Sequence, residues 1–416
     1  MNRHGPRRAG AALAAAALLV AVHAAALHRN APVFLQLSDA PATLVGGMRF
    51  SDRSNVLLFH TDADLLGNGN AVTQIFVFDL AERVKRGREA IYQLTFGAQP
   101  SLAPAAARRG RVVAFDSAAD LLQNGSTGRQ IFAATGVKWT HGLVPLVQVT
   151  RAQAPSWGAL LDARRGRTLV FSSDADLTGA GVPAGEHVYR VDLGALERSA
   201  CAGYPCPGEG NPGLELLSWE PATQPDVDRK GDRVVFVARE DVAGTGCVNG
   251  AAQIFVRDFK RGTVEQLTCG AADSRHPVFT RSYHGILFES DADLAGTGST
   301  RTQIFHLDLR RPPYRLTQMT FGSDGDSVRP APNGTKGKLR FFFHSTADLL
   351  GGGTPGTDSL YQFDDIRGLV RITADQAIGP EVAGQFTFAA FASPDDFLGN
   401  GNHAPQLFVV NSFSFY

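Results

Sequence analysis

The fold is decided by the sequence LLFHTDADLLGNGNAVTQIFVFD at residues 57–79, because its main features recur along the rest of the chain. An apolar run that ends in Phe59 is followed by Asp64 and, five residues later, by Gly69. A Gln-Ile-Phe element at 74–76 comes next. Self-similarity of this kind indicates an architecture in which copies of one small unit pack side by side.

The anchoring aspartate occurs in seven copies, and each has a glycine five residues after it. The aspartates are Asp64, Asp120, Asp176, Asp241, Asp293, Asp348 and Asp396. The glycines are Gly69, Gly125, Gly181, Gly246, Gly298, Gly353 and Gly401. The Gln-Ile-Phe element returns at 130–132, 253–255 and 303–305, and in looser form at 188–189, 360–361 and 406–408. The chain therefore contains seven repeats.

Each repeat contains four extended segments rich in β-branched and aromatic residues. We expect the first to start just after a proline, and the candidates are Pro41, Pro100, Pro155, Pro225, Pro277, Pro330 and Pro380. The apolar run, the Gln-Ile-Phe element and a Gln-Leu-Thr element such as 93–95 supply the other three. Four short antiparallel strands repeated seven times predict an all-β, seven-bladed β-propeller.

The two ends of the chain together supply the last blade. The seventh repeat ends with the apolar segment 408–410 and lacks a fourth strand. Residues 34–38, Phe-Leu-Gln-Leu-Ser, match that missing strand. We therefore expect the N-terminal strand to complete the last blade and close the ring, leaving no unpaired sheet edge at the seam.

Residues 1–26 have the pattern of a secretory signal peptide. Arginines at positions 3, 7 and 8 precede an apolar stretch at 11–26, which ends in small residues suited to cleavage. The stretch is shorter than the roughly 20 residues that span a bilayer, which favours a cleaved signal peptide, with an uncleaved anchor as the alternative. We therefore expect a periplasmic or secreted protein, with one propeller domain at 33–416 and no membrane span in the mature chain.

The charges balance, with 40 Lys and Arg against 40 Asp and Glu. A formal net charge of zero gives no electrostatic reason to expect a nucleic acid or an anionic membrane surface as partner. The composition, with 44% hydrophobic and 19% charged residues, is that of a folded globular protein.

The seven aspartates are expected to share one face of the ring. In an up-and-down blade, the loop between the second and third strands lies on the same face as the connection to the next blade. We predict an acidic binding face made of these aspartates and thickened by Asp62, Asp174, Glu240, Asp291 and Asp395.

Each aspartate has a structural and a ligand-binding interpretation. Its carboxylate can accept hydrogen bonds from backbone N–H groups one to three residues on, and the later glycine then takes a positive φ. Alternatively, carboxylate and carbonyl oxygens in such loops bind calcium, the one cofactor that the sequence suggests. The candidate calcium ligands are Asp62, Asp64 and Asn68 in the first loop and Asp395 and Asp396 in the last.

The repeat map also pairs the four cysteines. Cys201 and Cys206 share an insertion between the third and fourth strands of the third blade. Cys247 lies in a glycine loop and Cys269 in the connection to the fifth blade, both on the other face. Because each pair shares a face, we predict the disulfides Cys201–Cys206 and Cys247–Cys269. The cysteine spacing does not fit a zinc site.

Motifs of known enzyme classes are missing from the sequence. It contains no Gly-x-Ser-x-Gly elbow, His-Glu-x-x-His element or phosphate-binding glycine loop. The expected first strands supply few reactive groups to the ring axis, namely Asp226, Asp228, Arg281 and Glu381. We therefore expect a protein that is not an enzyme.

The repeats resemble the WD-repeat-like propeller repeats of the TolB type, whose units run Leu-Thr, turn, Pro-Ser, apolar strand, Ser-Asp, turn and Ile-Tyr-Val-x-Asp. The matching residues are 93–95, 100–101, 171–174 and 75–79. The resemblance covers nearly all of residues 33–416. It implies the propeller fold, which many unrelated activities share.

The sequence favours a scaffold of the cell envelope, monomeric and without affinity for nucleic acid. It would present the acidic face, or the insertion from Leu193 to Leu214, to a protein partner, since loops on a rigid frame commonly carry function. Two alternatives remain open. One is a calcium-dependent hydrolase or lactonase-like enzyme with its site at the channel mouth, and the other is a module that binds cell-wall polysaccharide.

Overall fold

The fold was established from a computed structural model of the chain. The structure describes residues 33–39, 42, 44–51, 56–79, 91–137, 146–198, 213–247, 249–281, 284–333, 337–373, 382–385 and 388–411. Within these residues the strands form seven separate sheets of four antiparallel strands. The first strands of neighbouring sheets contact one another around an axis, so the sheets are the blades of a seven-bladed propeller.

The strands are numbered along the chain and fall into four positions. The inner strands are β2 Val45–Phe50, β6 Ser101–Ala107, β10 Ser156–Leu161, β14 Ala222–Val227, β18 Ser274–Phe279, β22 Ser327–Pro332 and β26 Val382–Gln385. The second strands are β3 Val56–Thr61, β7 Val112–Ser117, β11 Thr168–Ser173, β15 Arg233–Ala238, β19 Gly285–Ser290, β23 Arg340–Ser345 and β27 Phe388–Ser393. The third strands are β4 Gln74–Asp79, β8 Gln130–Thr135, β12 His187–Asp192, β16 Gln253–Asp258, β20 Gln303–Asp308, β24 Ser359–Asp364 and β28 Gln406–Asn411. The outer strands are β1 Val33–Gln36, β5 Ile91–Gln93, β9 Leu146–Gln148, β13 Leu214–Leu216, β17 Thr263–Gln266, β21 Arg315–Gln318 and β25 Gly368–Arg371.

The recurring phenylalanines join the two middle strands of every blade. Phe59 of β3 stacks on Phe76 of β4, with the ring centroids 5.8 Å apart. Six equivalent pairs are Phe115–Phe132, Phe171–Tyr189, Phe236–Phe255, Phe288–Phe305, Phe343–Tyr361 and Phe391–Phe408. These rings are buried within the apolar layers between blades. Burying one such ring stabilises the fold by about 2–3 kcal/mol.

The polar residues of the repeat bind each blade to the connection that follows it. Thr95 accepts a hydrogen bond from the Ile75 N–H through its side-chain oxygen at 3.0 Å. The Gln74 amide donates to the Gly97 carbonyl at 2.7 Å. The Leu-Thr and Gln-Ile-Phe elements therefore recur because together they fix the connection between consecutive blades.

The prolines do not all precede the inner strand, as the sequence had suggested. Pro100 and Pro155 do, but Pro225, Pro277 and Pro330 are each the fourth residue of their strand. The inner strand is the edge of its blade and contains a β-bulge there, so a proline removes no ladder hydrogen bond. Outside the described residues are Pro41 and Pro380.

The ring closes through the N-terminal strand, as predicted. Strand β1 pairs antiparallel with β28, with Val33 opposite Asn411 and Gln36 opposite Phe408. The Leu37 N–H donates to the Leu407 carbonyl at 2.7 Å, which extends the pairing by one residue. The N-terminal segment is therefore the fourth strand of the seventh blade.

Helix is nearly absent from the described residues. A 3₁₀ turn spans Arg108–Gly110, and the helix α1, Leu193–Arg198, opens the third-blade insertion, where the sequence showed no helical period. No helix of the described chain is both long and apolar enough to cross a membrane. The predicted disulfide Cys247–Cys269 is present, with the Cα atoms 5.9 Å apart. The predicted pair Cys201–Cys206 lies outside the described residues, as does the segment 1–26.

Candidate functional site

Each anchoring aspartate folds its own loop. Asp64 accepts the Asn68 N–H at 3.0 Å on one carboxylate oxygen and the Gly69 N–H at 2.9 Å on the other. The glycine N–H is bound in the same way in the six other loops, by Asp120, Asp176, Asp241, Asp293, Asp348 and Asp396. The donors therefore lie four and five residues after the aspartate rather than the predicted one to three, because the loop wraps around the carboxylate.

The predicted positive φ of the glycine holds in six of the seven loops. Gly69, for example, has a φ of 80°. Gly353 is the exception, and the left-handed glycines of its loop are Gly351, Gly352 and Gly356. Beside it, the Arg371 guanidinium forms an ion pair with Asp348.

Loop amides stabilise the ionised form of several of these aspartates. The hydrogen bond from the glycine N–H is the largest cause of a lowered pKa in four loops, at Asp241, Asp293, Asp348 and Asp396. A carboxylate that accepts backbone N–H groups favours its charged form. The face that carries these loops is therefore negatively charged at neutral pH.

The calcium candidates already have partners in the fold. Asp62 accepts the Leu44 N–H at 2.9 Å, and the Asn68 amide donates to Gln93 at 2.6 Å. Asp395 accepts a hydrogen bond from Ser393, and burial raises the pKa of this carboxyl. Among the described residues, no three His, Cys, Asp or Glu side chains come together as a metal site would require. Calcium binding by these loops stays a prediction.

The glycine loops and the connections between blades form one face of the ring, called here the glycine-loop face. Its described loops contain the acidic residues Asp39, Asp62, Asp64, Asp120, Asp174, Asp176, Glu186, Glu220, Glu240, Asp241, Asp273, Asp291, Asp293, Asp324, Asp326, Asp348, Asp358, Asp395 and Asp396. The arginines of the same loops are Arg129, Arg151, Arg239 and Arg301. Acidic residues therefore far outnumber basic ones on this face.

The same face carries most of the exposed large apolar side chains. Six of the seven such residues in the described chain lie there, and these are Leu44, Leu66, Phe96, Trp219, Phe321 and Leu350. Phe96, Trp219 and Phe321 occupy equivalent positions, directly after the Thr or Ser that fixes the connection. Phe321 is 68% exposed and Phe96 65%. Sequence reasoning missed these residues because a phenylalanine is usually assigned to a core.

The opposite face, called here the turn face, consists of the turns between the first and second and between the third and fourth strands. Its basic residues are Arg108, Arg109, Arg111, Arg164, Arg165, Arg167, Arg229, Lys230, Lys260, Arg261, Arg281, Arg310, Arg311, Lys338 and Arg367. The acidic residues of the described turns are Asp162, Asp228, Asp232 and Asp365, and third strands end here in Asp79, Asp192, Asp258, Asp308 and Asp364. The zero net charge thus divides into an acidic and a basic face, so it is no argument against an anionic partner.

The inner strands form a channel with an unusual backbone. The third residue of six inner strands has a positive φ, with values of 58° at Gly47, 46° at Ala103, 70° at Gly158, 51° at Gln224, 49° at His276 and 57° at Arg329. Four of these residues are not glycine. Side chains in left-handed conformations are strained, and such strain is enriched at functional sites.

A buried carboxylate supports two of these residues. Glu289 binds the Nδ1 atom of His276 and accepts the Arg329 N–H at 2.8 Å, so both of its oxygens hold the channel wall. Burial would raise the pKa of Glu289, but the contact with His276 lowers it below its usual value. His276 and Arg329 line a cavity of 390 Å³ at the glycine-loop end of the channel, together with Arg49 and Trp157.

The axial residues named from the sequence lie in different places. Asp226 and Arg281 line the other half of the channel, whereas Asp228 lies in a turn between strands. Glu381 is outside the described residues. The histidine and Glu289 were missed because the carboxylate comes from a second strand, which sequence alone does not place beside an inner one.

Several solved structures are similar to this chain. The β-propeller domain of the Trilobed protease from Pyrococcus furiosus is 12% identical, with a TM-score of 0.56 over 90% of this chain and 94% of that one. An oligogalacturonate lyase in complex with manganese is 14% identical, with a TM-score of 0.56 over 91% and 93%. TolB from Acinetobacter baumannii is 13% identical, with a TM-score of 0.41 over 87% and 80%.

No protein-family model matches the chain, and no curated protein sequence matches it either. Identities this low show a shared fold alone. The chain therefore has the seven-bladed β-propeller fold that its repeats predicted, and TolB proteins are among the solved structures similar to it.

Proposed function

We propose that this chain is an exported scaffold of the cell envelope whose glycine-loop face binds a protein partner with basic and apolar surface residues. The observation that carries the proposal is the coincidence of exposed aromatic residues and acidic loops on one face. Aromatic side chains surrounded by polar residues are typical of the energetically dominant part of an interface. The segment 1–26 supports export.

The face suits recognition because its aromatic residues are presented on a fixed backbone. The Thr320 hydroxyl, next to Phe321, binds both the Ile304 N–H at 2.9 Å and the Gln303 side chain at 2.8 Å. A residue held in this way loses little backbone freedom on binding, which lowers the entropic cost of association. The acidic loops add electrostatic steering toward a basic partner.

The proposal is tested by affinity capture from an envelope extract, with the full chain as bait. The double variant Phe96→Ser/Phe321→Ser removes two exposed rings, and Ile366→Ser is the matched control, since Ile366 is exposed on the turn face. We expect the wild type and the control to retain the same partner, and the double variant to bind it at least tenfold more weakly. Capture should also weaken with salt.

Three results contradict the proposal. The first is a partner retained equally by the double variant, and the second is a partner lost only from the Ile366→Ser control. The third is that the folded wild-type chain captures nothing specific. Melting curves of all three proteins establish that each is folded.

The channel mouth favours a second candidate, an enzyme that acts on a small substrate. A histidine oriented by a buried carboxylate can exchange a proton with a bound molecule, and His276 with Glu289 has this arrangement beside a cavity. Hydrolysis of an ester or lactone panel that is lost in His276→Asn and retained in Phe96→Ser would support it. Calcium dependence is checked by the melting temperature with and without a chelator.

A further inference from the structure

The turn face carries an excess of exposed positive charge. Most of its arginines and lysines are exposed, including Arg108, Arg164, Arg165, Lys260 and Arg261. They come from turns of most blades, so the charge is distributed around the ring. Such a surface attracts a polyanion at long range.

The acids on this face offset that charge only in part. Lys260 pairs with Asp232, and Arg310 pairs with Asp308, but the basic residues are more numerous and some of the carboxylates are enclosed by the turns. Asp162 is 0% exposed and accepts four backbone N–H groups, those of residues 165–168, at 2.7–3.2 Å. Asp228 is 2% exposed and accepts the Asp232 N–H at 2.8 Å. These carboxylates fix the turns from which the basic side chains project.

A recess in this face is large enough for a small anionic group. It has a volume of 610 Å³ and lies between the turns of the fourth and fifth blades. Its charged lining combines the basic residues Arg164, Arg229, Lys230, Arg233, Lys260 and Arg261 with the carboxylates Asp228, Asp232, Asp258 and Glu265. The basic residues exceed the carboxylates there, so the recess keeps a net positive charge although Lys260 pairs with Asp232.

The polypeptide enters the propeller at the turn face. Val33 begins β1 opposite Asn411, the last residue of β28, and third strands end at this face. Only residues 27–32 separate Val33 from the apolar stretch 11–26. A segment of that length spans about 20 Å at most. If the apolar stretch stays in the bilayer as an uncleaved anchor, the turn face is the part of the ring nearest to the headgroups.

We propose that the turn face binds the headgroups of an anionic lipid membrane, so that the glycine-loop face points away from the bilayer. The proposal goes beyond the proposed function, because it concerns the opposite face and a different partner. A bilayer fits better than a nucleic acid, because the cations are distributed over a face and the chain enters from an apolar segment there. Each basic residue near an anionic surface strengthens binding by about fivefold.

Vesicle co-sedimentation of residues 27–416 tests the proposal without the apolar stretch. This segment retains the propeller, because all strands of the seven blades lie within 33–411. The probes are phosphatidylcholine vesicles with and without phosphatidylglycerol. The variant Arg164→Gln/Arg165→Gln removes two exposed charges from the turn face, and Arg151→Gln/Arg301→Gln removes two from the glycine-loop face.

We expect binding to the anionic vesicles alone, lost at high salt. The turn-face variant should bind at least tenfold more weakly and the control within twofold of the wild type. Equal weakening of both variants, binding to neutral vesicles, or no binding to either vesicle overturns the proposal. So does tighter binding to a short DNA duplex at the same salt concentration. None of these outcomes depends on the protein partner of the other face.

Discussion

The third residue of six inner strands has a left-handed backbone, and several of these residues also contact the neighbouring blade. In three cases the N–H of this residue donates to a side chain on the second strand of the preceding blade, as in the Gly158 N–H to Asp116 hydrogen bond of 3.0 Å. The same contact joins Ala103 to His60 at 3.3 Å and Arg329 to Glu289 at 2.8 Å. The left-handed backbone therefore allows hydrogen bonds between neighbouring blades. It also occurs at residues such as Ala103, whose side chain has no chemical function.

Ala103 tests the cost of this conformation. Its φ is 46°, and its side chain is a single methyl group. Replacing it with glycine removes the left-handed strain, which offsets the entropic cost of glycine. We expect Ala103→Gly to leave the free energy of unfolding unchanged or to raise it by up to about 1 kcal/mol.

The matched change is Ala105→Gly, two residues along the same strand. Ala105 is buried and is absent from the left-handed residues, so it should lose about 1 kcal/mol of stability or more. Denaturant unfolding of both variants provides the comparison. Equal destabilisation by the two substitutions would show that the positive φ at Ala103 carries no strain.

Asp226 is predicted to make stability depend on pH. Burial in the channel wall raises its pKa to about 6, although it accepts the Phe279 N–H at 2.7 Å. The native state then holds this proton more tightly than the unfolded state, so stability falls as pH rises from about 4 to about 6. Asp226→Asn keeps the acceptor oxygen and removes the ionisation.

We expect Asp226→Asn to be more stable than the wild type at pH 7.5, on the order of 1 kcal/mol, and equal to it at pH 4. Urea denaturation across this pH range measures the difference. An unchanged pH profile in the variant would assign the dependence to another group. The sequence named Asp226 as an axial residue but could not give its burial, which depends on how the other blades enclose the channel.

At the scale of elements, the glycine loop was the part most fully predicted from sequence. An aspartate with a glycine five residues later is a local pattern, and its hydrogen bonds stay within the loop at 2.9–3.0 Å for Asp64. The proline positions were harder, because Pro100 and Pro225 occupy different places relative to their strands. A bulged edge strand accepts a proline inside it, and a bulge leaves no clear mark in a sequence.

The disulfide Cys247–Cys269 joins a glycine loop to the connection that leads to the fifth blade. It closes a segment with a sequence separation of 22 residues. Loop-closure entropy for a segment of that length gives a stabilisation of about 3 kcal/mol. We expect Cys247→Ser/Cys269→Ser to lower the free energy of unfolding by about 2–4 kcal/mol, measured by denaturant unfolding.

A reducing agent should lower the stability of the wild type to that of the double serine variant and leave the variant itself unchanged. Since the pair lies on the glycine-loop face, the variant also reports whether that loop must be fixed for partner capture. A double variant as stable as the oxidised wild type would show that the bridge does not stabilise the fold.

For the whole molecule, the N-terminal strand is what makes the ring continuous. Leu37 is 0% exposed and packs in the cluster that contains Phe59 of the first blade and Leu407 of the last. Leu37→Ala should cost about 2–5 kcal/mol, as other buried leucines do. Leu66→Ala, on an exposed loop residue, should change stability by less than about 0.5 kcal/mol. Thermal unfolding distinguishes the two.

An unchanged melting temperature for Leu37→Ala would show that the first strand is not required for closure. This closure could be predicted from sequence because it depends only on the number of strands in each repeat. The seventh repeat has three strands, and the N-terminal segment supplies the fourth. The separation of charge into an acidic and a basic face could not be predicted in this way, because it depends on which end of each blade a residue occupies. The amino-acid composition gives only the net charge of the whole chain.

The two faces of opposite sign give the propeller a permanent dipole along its axis. A molecule of this kind has almost no net attraction to a distant charged surface, yet it rotates as it approaches within a Debye length of about 8–10 Å. The encounter is therefore already oriented before any side chain touches its target. At its isoelectric point, such a protein would be retained by both kinds of ion-exchange resin. A cation exchanger would bind the turn face, and an anion exchanger would bind the glycine-loop face.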